Sequence, residues 1–305
     1  MKKKLNVAIL GTGNIGADLF FKIIKSDHLN CVLFSGRNQK SKSYLTVESF
    51  LKKKKNLKSE KNVTISKKHI KSVESKHHLF DILFDCTSAK FHNQNRKLFK
   101  KLKKKIINLT PSQHGQICVP AINLDESKNF YDLNMITCGA QASVPIAYSF
   151  KQIFKKRVSY IEVVSTISSY SAGPATRLNI DEYISSTQKA ISYFTGVKKT
   201  KAILNLNPAK PQVNMQTSIF VKIGGKSVTK HEFVKINQFI GIMVNKVKKY
   251  NQDYKIIVKP HLYNNVIVVT VSTRGQGDYL PRYAGNLDIM TSAALVTGEK
   301  LATNN

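Results

Sequence analysis

Reactive chemistry in this chain turns first on one thiol. In NMITCGAQASVP (134–145), Cys138 stands where an apolar run breaks at Gly139, a few residues before a helical pattern. Unpaired cysteine is among the most buried residue types, so one role for it is simply to close the core at a strand end. The other is that of a nucleophile at the mouth of a site. Gly139 and Ala140 would leave backbone N–H groups open to an oxyanion, a helix N-terminus lowers a thiol's pKa, and helix-start residues such as Gln141 would add to the surroundings.

Three further stretches suit a nucleotide. GTGNIG (11–16) fits G-x-G-x-x-G directly after an apolar run and at the start of a helical pattern. Gly11 permits the tight turn, Gly13 lets the backbone approach a pyrophosphate, and Gly16 allows close packing of helix on strand. The phosphates would then sit on the helix N-terminus, beside Thr12, Asn14 and Ile15. At the end of the next strand, where NAD binders usually carry an acid, the sequence is FSGRN, with Ser35 and Arg37. That is 2′-phosphate chemistry and admits NADP, unless Arg37 only points to solvent. SAGPATR (171–177) is a small-residue loop able to approach a planar ring, or an ordinary connection whose turn needs Gly173 and Pro174.

Short apolar runs and helical patterns alternate through the first half. LNVAIL (5–10), CVLFS (31–35), DILFDCT (81–87) and KIINLT (105–110) are strands, with helices over 14–26 and about 91–103. Segment 38–80, rich in lysine and serine, holds a helix near 44–55 and a short strand at NVTIS. Strand–helix alternation implies right-handed βαβ units and a parallel, Rossmann-type sheet. Beyond Cys138 the pattern changes: a helix at 143–155, a long strand SYIEVVSTISSY (159–170), a helix from NIDEYISSTQKAISYF, strands near 201–206 and 215–223, a helix over 229–249, and strands near 254–260 and 265–273. These indicate an α+β unit with a mixed or antiparallel sheet. The α/β chain therefore divides into a dinucleotide-binding unit (1–138) and a second unit (139–284), with a terminal helix (285–305) packing back on the first.

Composition narrows the setting. Cys31, Cys86, Cys118 and Cys138 lie far apart, with no CxxC pair and no His/Cys cluster, against a disulfide framework or a metal site and in keeping with a reducing cytoplasm. The start MKKKLNVAIL imitates a signal peptide but runs into GTGNIG, so it reads as a strand. No apolar run approaches the roughly 18 residues of a membrane span. The formal charge is +31, yet only six of the 49 basic residues are arginine, and no nucleic-acid motif interleaves the lysine runs with aromatics. A solvated lysine surface, able to attract an anionic substrate, accounts for the charge better than a nucleic-acid face.

Taken together, VAILGTGNIGADL, FDCTSAKFHNQN, INLTPS, CVPAINLDE, NMITCGAQASVPI, SSYSAGPATRLNIDEY, KAILNLNPAKP and YLPRYAGNLDIMTSAAL resemble the acylating acetaldehyde dehydrogenases, partners of 4-hydroxy-2-oxovalerate aldolase in aromatic-hydrocarbon catabolism. The resemblance covers most of the chain, failing at about 36–76 and weakening at 212–275. It implies that a short aldehyde (acetaldehyde or propanal), coenzyme A and NAD become acyl-CoA and NADH, with Cys138 carrying the thiohemiacetal and acyl-thioester intermediates. It also implies cofactor contacts from Thr12, Gly13, Asn14 and Ile15, from Ser169, Tyr170, Ser171, Ala172, Gly173, Pro174, Ala175, Thr176 and Arg177, and from Asn286. A homodimer through the second unit, or an aldolase-bound hetero-oligomer, is implied as well.

Three departures mark the chain. Where the family carries an aspartate general base in a Met-Arg-Asp-Thr-like run, NMQTSIF places Thr217, leaving the base unassigned. GPGTR is written GPATR, with Ala175, and the segment before YLPRYAGN is short. Two alternatives follow. One is an NADP-dependent semialdehyde or acyl-phosphate reductase of the aspartate-semialdehyde dehydrogenase type, whose catalytic histidine could only be His231 or His261. The other is a nucleotide-binding subunit impaired at Thr217.

Overall fold

The computed structural model describes residues 4–38, 40–56, 63–173, 176–177 and 179–303. Pro174 and Ala175, two of the expected cofactor contacts, lie outside the described residues, as do the last two residues of the expected terminal helix.

The first sheet contains β1 (Leu5–Leu10), β2 (Leu29–Ser35), β3 (Thr64–Ser66), β4 (Ile82–Asp85), β5 (Lys105–Asn108), β6 (Gln116–Ile117) and β7 (Asp132–Asn134). Its order is β3-β2-β1-β4-β5-β7-β6, and every pairing is parallel. The central strands are covered on both faces, which is why the last four residues of LNVAIL and all of ILFD are buried and apolar runs replace alternation. Helices α1 (Asn14–Lys25), α2 (Lys42–Asn56), α3 (Ile70–Ser75), α4 (Ala89–Lys101) and α5 (Pro120–Asn123) connect these strands.

Helix α6 (Cys138–Phe154) leads out of the parallel sheet. It begins five residues before the expected 143, because the Thr137 hydroxyl caps it by accepting the Ala140 N–H at 3.0 Å. Such a cap contributes about 1 kcal/mol, and it makes Cys138 the first helical residue.

The second sheet holds β8 (Val158–Ser168), β9 (Thr200–Asn207), β10 (Met215–Ile223), β11 (Lys255–Tyr263) and β12 (Val266–Thr273), in the order β11-β12-β10-β8-β9. It is mixed: β8 and β9 run parallel across helix α7 (Ile180–Thr195), and the other pairings are antiparallel. Its inner face presents Ile161, Val163 and Ile167 of β8 and Met215, Ile219 and Val221 of β10 to α6 and to α8 (Lys230–Lys248). Two hydroxyls, Ser165 and Thr217, interrupt that apolar stripe and stand opposite one another in the register.

The last helix, α9 (Gly285–Thr303), returns to the parallel sheet, where Met290, Ala293, Ala294 and Leu301 share a core with β1 and α1. A buried cation fixes it there: Lys22 Nζ lies 3.3 Å from Asp18, 2.6 Å from Asp278 and 2.9 Å from Asp288. Cys138 packs against both this core and that of the second sheet, and so lies on the seam between them. Among the described residues no helix is long and apolar enough to cross a membrane, and no cluster of His, Cys, Asp or Glu is set to hold a metal.

Candidate active site

The glycine loop runs from the C-terminal end of β1 into α1. Gly11 has φ +109°, and its N–H donates to Ser35 O at 2.8 Å, tying the loop to β2. A Cβ on Gly11 would meet the Cys86 carbonyl oxygen at 2.5 Å, and one on Gly16 would collide with the Gly11 carbonyl. Gly13 is different: a Cβ there meets nothing within 4 Å. Gly13 is also the N-cap of α1, which has no side-chain cap and no acid in its first turn. The open backbone and the uncapped N–H groups suit a diphosphate. The Thr12 side chain is turned under Gly36, and Asn14 Oδ1 accepts the Ser43 hydroxyl at 2.8 Å.

Cys138 is reached from β7 through a tight connection. Ile136, a β-branched residue, takes φ +66°, and its N–H is held by Asn134 Oδ1 at 2.7 Å. Asn134 Nδ2 donates to Ser112 O and His114 O, while Gln141 Nε2 donates to Cys118 O and Met135 O, each at 2.9 Å in the case of Gln141. Gln141 therefore braces the strand-to-helix turn, with its amide N–H groups spent on backbone carbonyls.

The Cys138 Sγ–H points to Tyr183 Oη at 3.9 Å. Tyr183 lies on α7, and its hydroxyl fills the space that a Cβ on Gly139 would occupy, so only glycine fits there. Ser165 Oγ borders that same space and lies 3.2 Å from Thr217 Oγ1. Thiol and phenol thus form one pair, and Ser165 and Thr217 form a second pair beside it. Burial pushes the Cys138 thiol up to about 11, against the Tyr183 hydroxyl and the backbone N–H groups of Gly139 and Cys138, which act to lower it. The expected effect of the helix N-terminus is present but outweighed by desolvation. Burial also holds the Tyr183 phenol well above its usual range, so it is no base at neutral pH.

A cleft opens on this thiol. It is lined by Ile15 of the glycine loop, by Cys138 and Tyr183, and by Thr176, Asn286 and Met290. No described residue lining it is a carboxylate or a histidine. Asn286 Oδ1 is buried, with no hydrogen-bond partner, at the start of α9. Tyr170 and Ser171 line an adjoining hollow with Asn14. Gly173 leaves open space where a Cβ would be, and Arg177 ties its own loop together, donating to Ala172 O at 3.2 Å and Ser169 O at 3.1 Å. A wider concavity among Lys100, Lys103, Lys104 and Lys128 lies at the opposite end of the parallel strands, and no cysteine is among the described residues that line it.

Beside the cleft, Asp85 at the end of β4 accepts the Thr87 N–H at 3.0 Å and binds His92 Nδ1 at 2.9 Å. His92 Nε2 is 3.8 Å from Asp132, a charge contact too long for a hydrogen bond. Burial pulls the His92 pKa down, but Asp132 and Asp85 outweigh it and set it at about 9.

Sequence reasoning missed Tyr183 and Ser165. The available signal was the pair of hydroxyls, Ser165 and Thr217, on otherwise apolar inward stripes of two long strands.

Residues 138–281 match the family model for prokaryotic acetaldehyde dehydrogenase, dimerisation. An acetaldehyde dehydrogenase of Pectobacterium atrosepticum is 41% identical over 305 residues, 99% of this chain and 97% of that protein. One from Spirochaeta aurantia is 41% identical over 98% of this chain and 95% of its own length, and one from Geobacillus stearothermophilus is 40% identical over 98% and 96%.

Proposed function

The chain belongs to the acetaldehyde dehydrogenase family, and from that premise we propose that it converts a short aldehyde and coenzyme A to acyl-CoA, with Cys138 as nucleophile and a nicotinamide dinucleotide as oxidant. The observation that carries the reading is one cleft shared by Ile15 of the glycine loop, Cys138 and the unpartnered Asn286 Oδ1. The fit to a dinucleotide is good: an open Gly13 backbone, an uncapped helix for the diphosphate, and a buried amide oxygen without a partner, suited to a carboxamide N–H. Gly11 to Gly16, Ser169 to Arg177 and Asn286 would hold it; when bound it accepts a hydride.

The chain's own residues do the rest. Cys138 Sγ adds to the aldehyde carbon, giving a thiohemiacetal whose oxygen is met by the Gly139 N–H at the start of α6; the Ala140 N–H, also expected to be open, is instead taken by the Thr137 cap. Loss of hydride leaves an acyl thioester on Sγ, and the thiol of coenzyme A takes the acyl group and releases the cysteine. Tyr183 positions Sγ. Thr217, at the place of the family's aspartate, cannot accept a proton at neutral pH, so the supply of thiolate governs the rate and increases with pH.

Among the described residues no histidine lines this cleft, which disfavours the semialdehyde or acyl-phosphate reductase. The proposal extends to the boundary at 138/139, with the two sheets falling on either side of it. It extends also to a homodimer through the second unit, for which the matched dimerisation model and the exposed Ile257, Val258, Leu262 and Tyr263 of β11 speak. Cytoplasmic operation and a 4-hydroxy-2-oxovalerate aldolase partner complete it. Dinucleotide reduction by acetaldehyde or propanal should require coenzyme A and fall to background in Cys138→Ala. Full-rate turnover without coenzyme A would overturn the acylating mechanism, and binding of the dinucleotide without turnover would favour an impaired subunit.

A further inference from the structure

In a parallel sheet of this topology the adenosine end of a dinucleotide lies beyond the tip of β2. Here that tip is pressed onto the glycine loop. Ser35 O accepts the Gly11 N–H, and a Cβ on Gly36 would collide with the Thr12 side chain. The Ser41 hydroxyl closes the same turn, reaching Asn38 O at 3.2 Å and Thr12 O at 3.5 Å. Arg37 is the next residue out, so its position is fixed relative to Gly13.

Its side chain is also fixed. The Arg37 guanidinium lies 5.1 Å from the centre of the Phe91 ring, and the His69 ring packs on the same phenylalanine, 4.5 Å between centres. Phe91 belongs to the first turn of α4, whose Ser88 cap lines the active-site cleft, so this platform stands beside the dinucleotide site. One face of the guanidinium is covered by the ring, while the residue remains exposed. Among the described residues it has no carboxylate partner. None is close in sequence either: between Asp27 and Glu48 the chain carries no acid, while Lys40 and Lys42 add positive charge. Burial, followed by Arg37 itself, lowers His69 to about 4, so that imidazole is neutral at working pH.

An NAD ribose offers hydroxyls, which want a carboxylate acceptor. An exposed, platform-held guanidinium without an acid offers N–H donors to a dianion. Resting on the dinucleotide reading above, we propose that Arg37, seated on Phe91, binds the 2′-phosphate of NADP(H), so that the chain takes the phosphorylated cofactor in preference to NAD(H).

The test is direct binding to the full chain, with no turnover. NADPH and NADH are titrated by fluorescence, and adenosine 2′,5′-bisphosphate and ADP by calorimetry. NADPH should bind about tenfold to a hundredfold more tightly than NADH, the range of a charge-assisted pair. Arg37→Ala should bring NADPH down to the NADH level and leave NADH within about twofold. Arg37→Lys should keep part of the preference. NADH binding as tightly as NADPH, or equal weakening of both in Arg37→Ala, overturns the assignment of Arg37 and leaves the dinucleotide reading intact. Binding of neither dinucleotide overturns both.

Discussion

Because burial sets the Cys138 thiol at about 11, its reactivity should climb steeply through a range in which an ordinary cysteine levels off. At pH 7 about one thiol in ten thousand is ionised, and at pH 9 about one in a hundred, from the ratio of pH to pKa. Carboxamidomethylation of Cys138 in the cofactor-free protein should therefore accelerate about a hundredfold between those two pH values. Peptide mass spectrometry separates Cys138 from Cys31 and Cys118, which burial pushes to about 12, and from Cys86, which burial raises well above the usual thiol range. The Tyr183 hydroxyl is one of the groups lowering the thiol, so Tyr183→Phe should move the whole profile to more alkaline pH. An alkylation rate that levels off near pH 8 would refute the reasoning. It would mean that some group ionises the thiol despite a cleft without carboxylates.

Other perturbations probe the scaffold and its pH response. Gly13→Ala should fold normally and bind dinucleotide weakly, since its methyl enters the open approach, whereas Gly16→Ala should lose stability by thermal melting because its methyl meets the Gly11 carbonyl. Thr217→Val should leave the pH–rate profile in place and cost about 1 kcal/mol in denaturant unfolding, the worth of its hydrogen bond to Ser165; a profile shifted by that change would make Thr217 part of the proton path. His92, raised to about 9 when folded against 6.5 for the free group, contributes stability that is full below pH 6.5 and lost as pH rises through 9. Melting temperature should fall across that window in the wild type and less so in His92→Gln.

The order of elements was legible in the sequence because most carry strong local signals. LNVAIL occupies the expected 5–10, and the strand expected at 215–223 is β10 residue for residue. The misses have physical reasons. β6 and β7 have two and three residues, too few to show a period. The start of α6 depends on a threonine cap at Thr137, which pattern reading placed too late. In the candidate site, the glycine loop and Cys138 could be picked out because their chemistry is local. Tyr183 could not, since it meets Gly139 only after α7 folds across α6, and the high pKa of Cys138 comes from that same long-range burial.

The central claim is that Cys138 carries the acyl group. Protein mixed with acetaldehyde and oxidised dinucleotide, without coenzyme A, should gain the mass of one acetyl group, located on the Cys138 peptide. Coenzyme A should then remove it and yield acetyl-CoA. Aldehyde-dependent reduction of the dinucleotide with no acyl adduct on Cys138, or with an adduct that coenzyme A cannot discharge, would contradict the account.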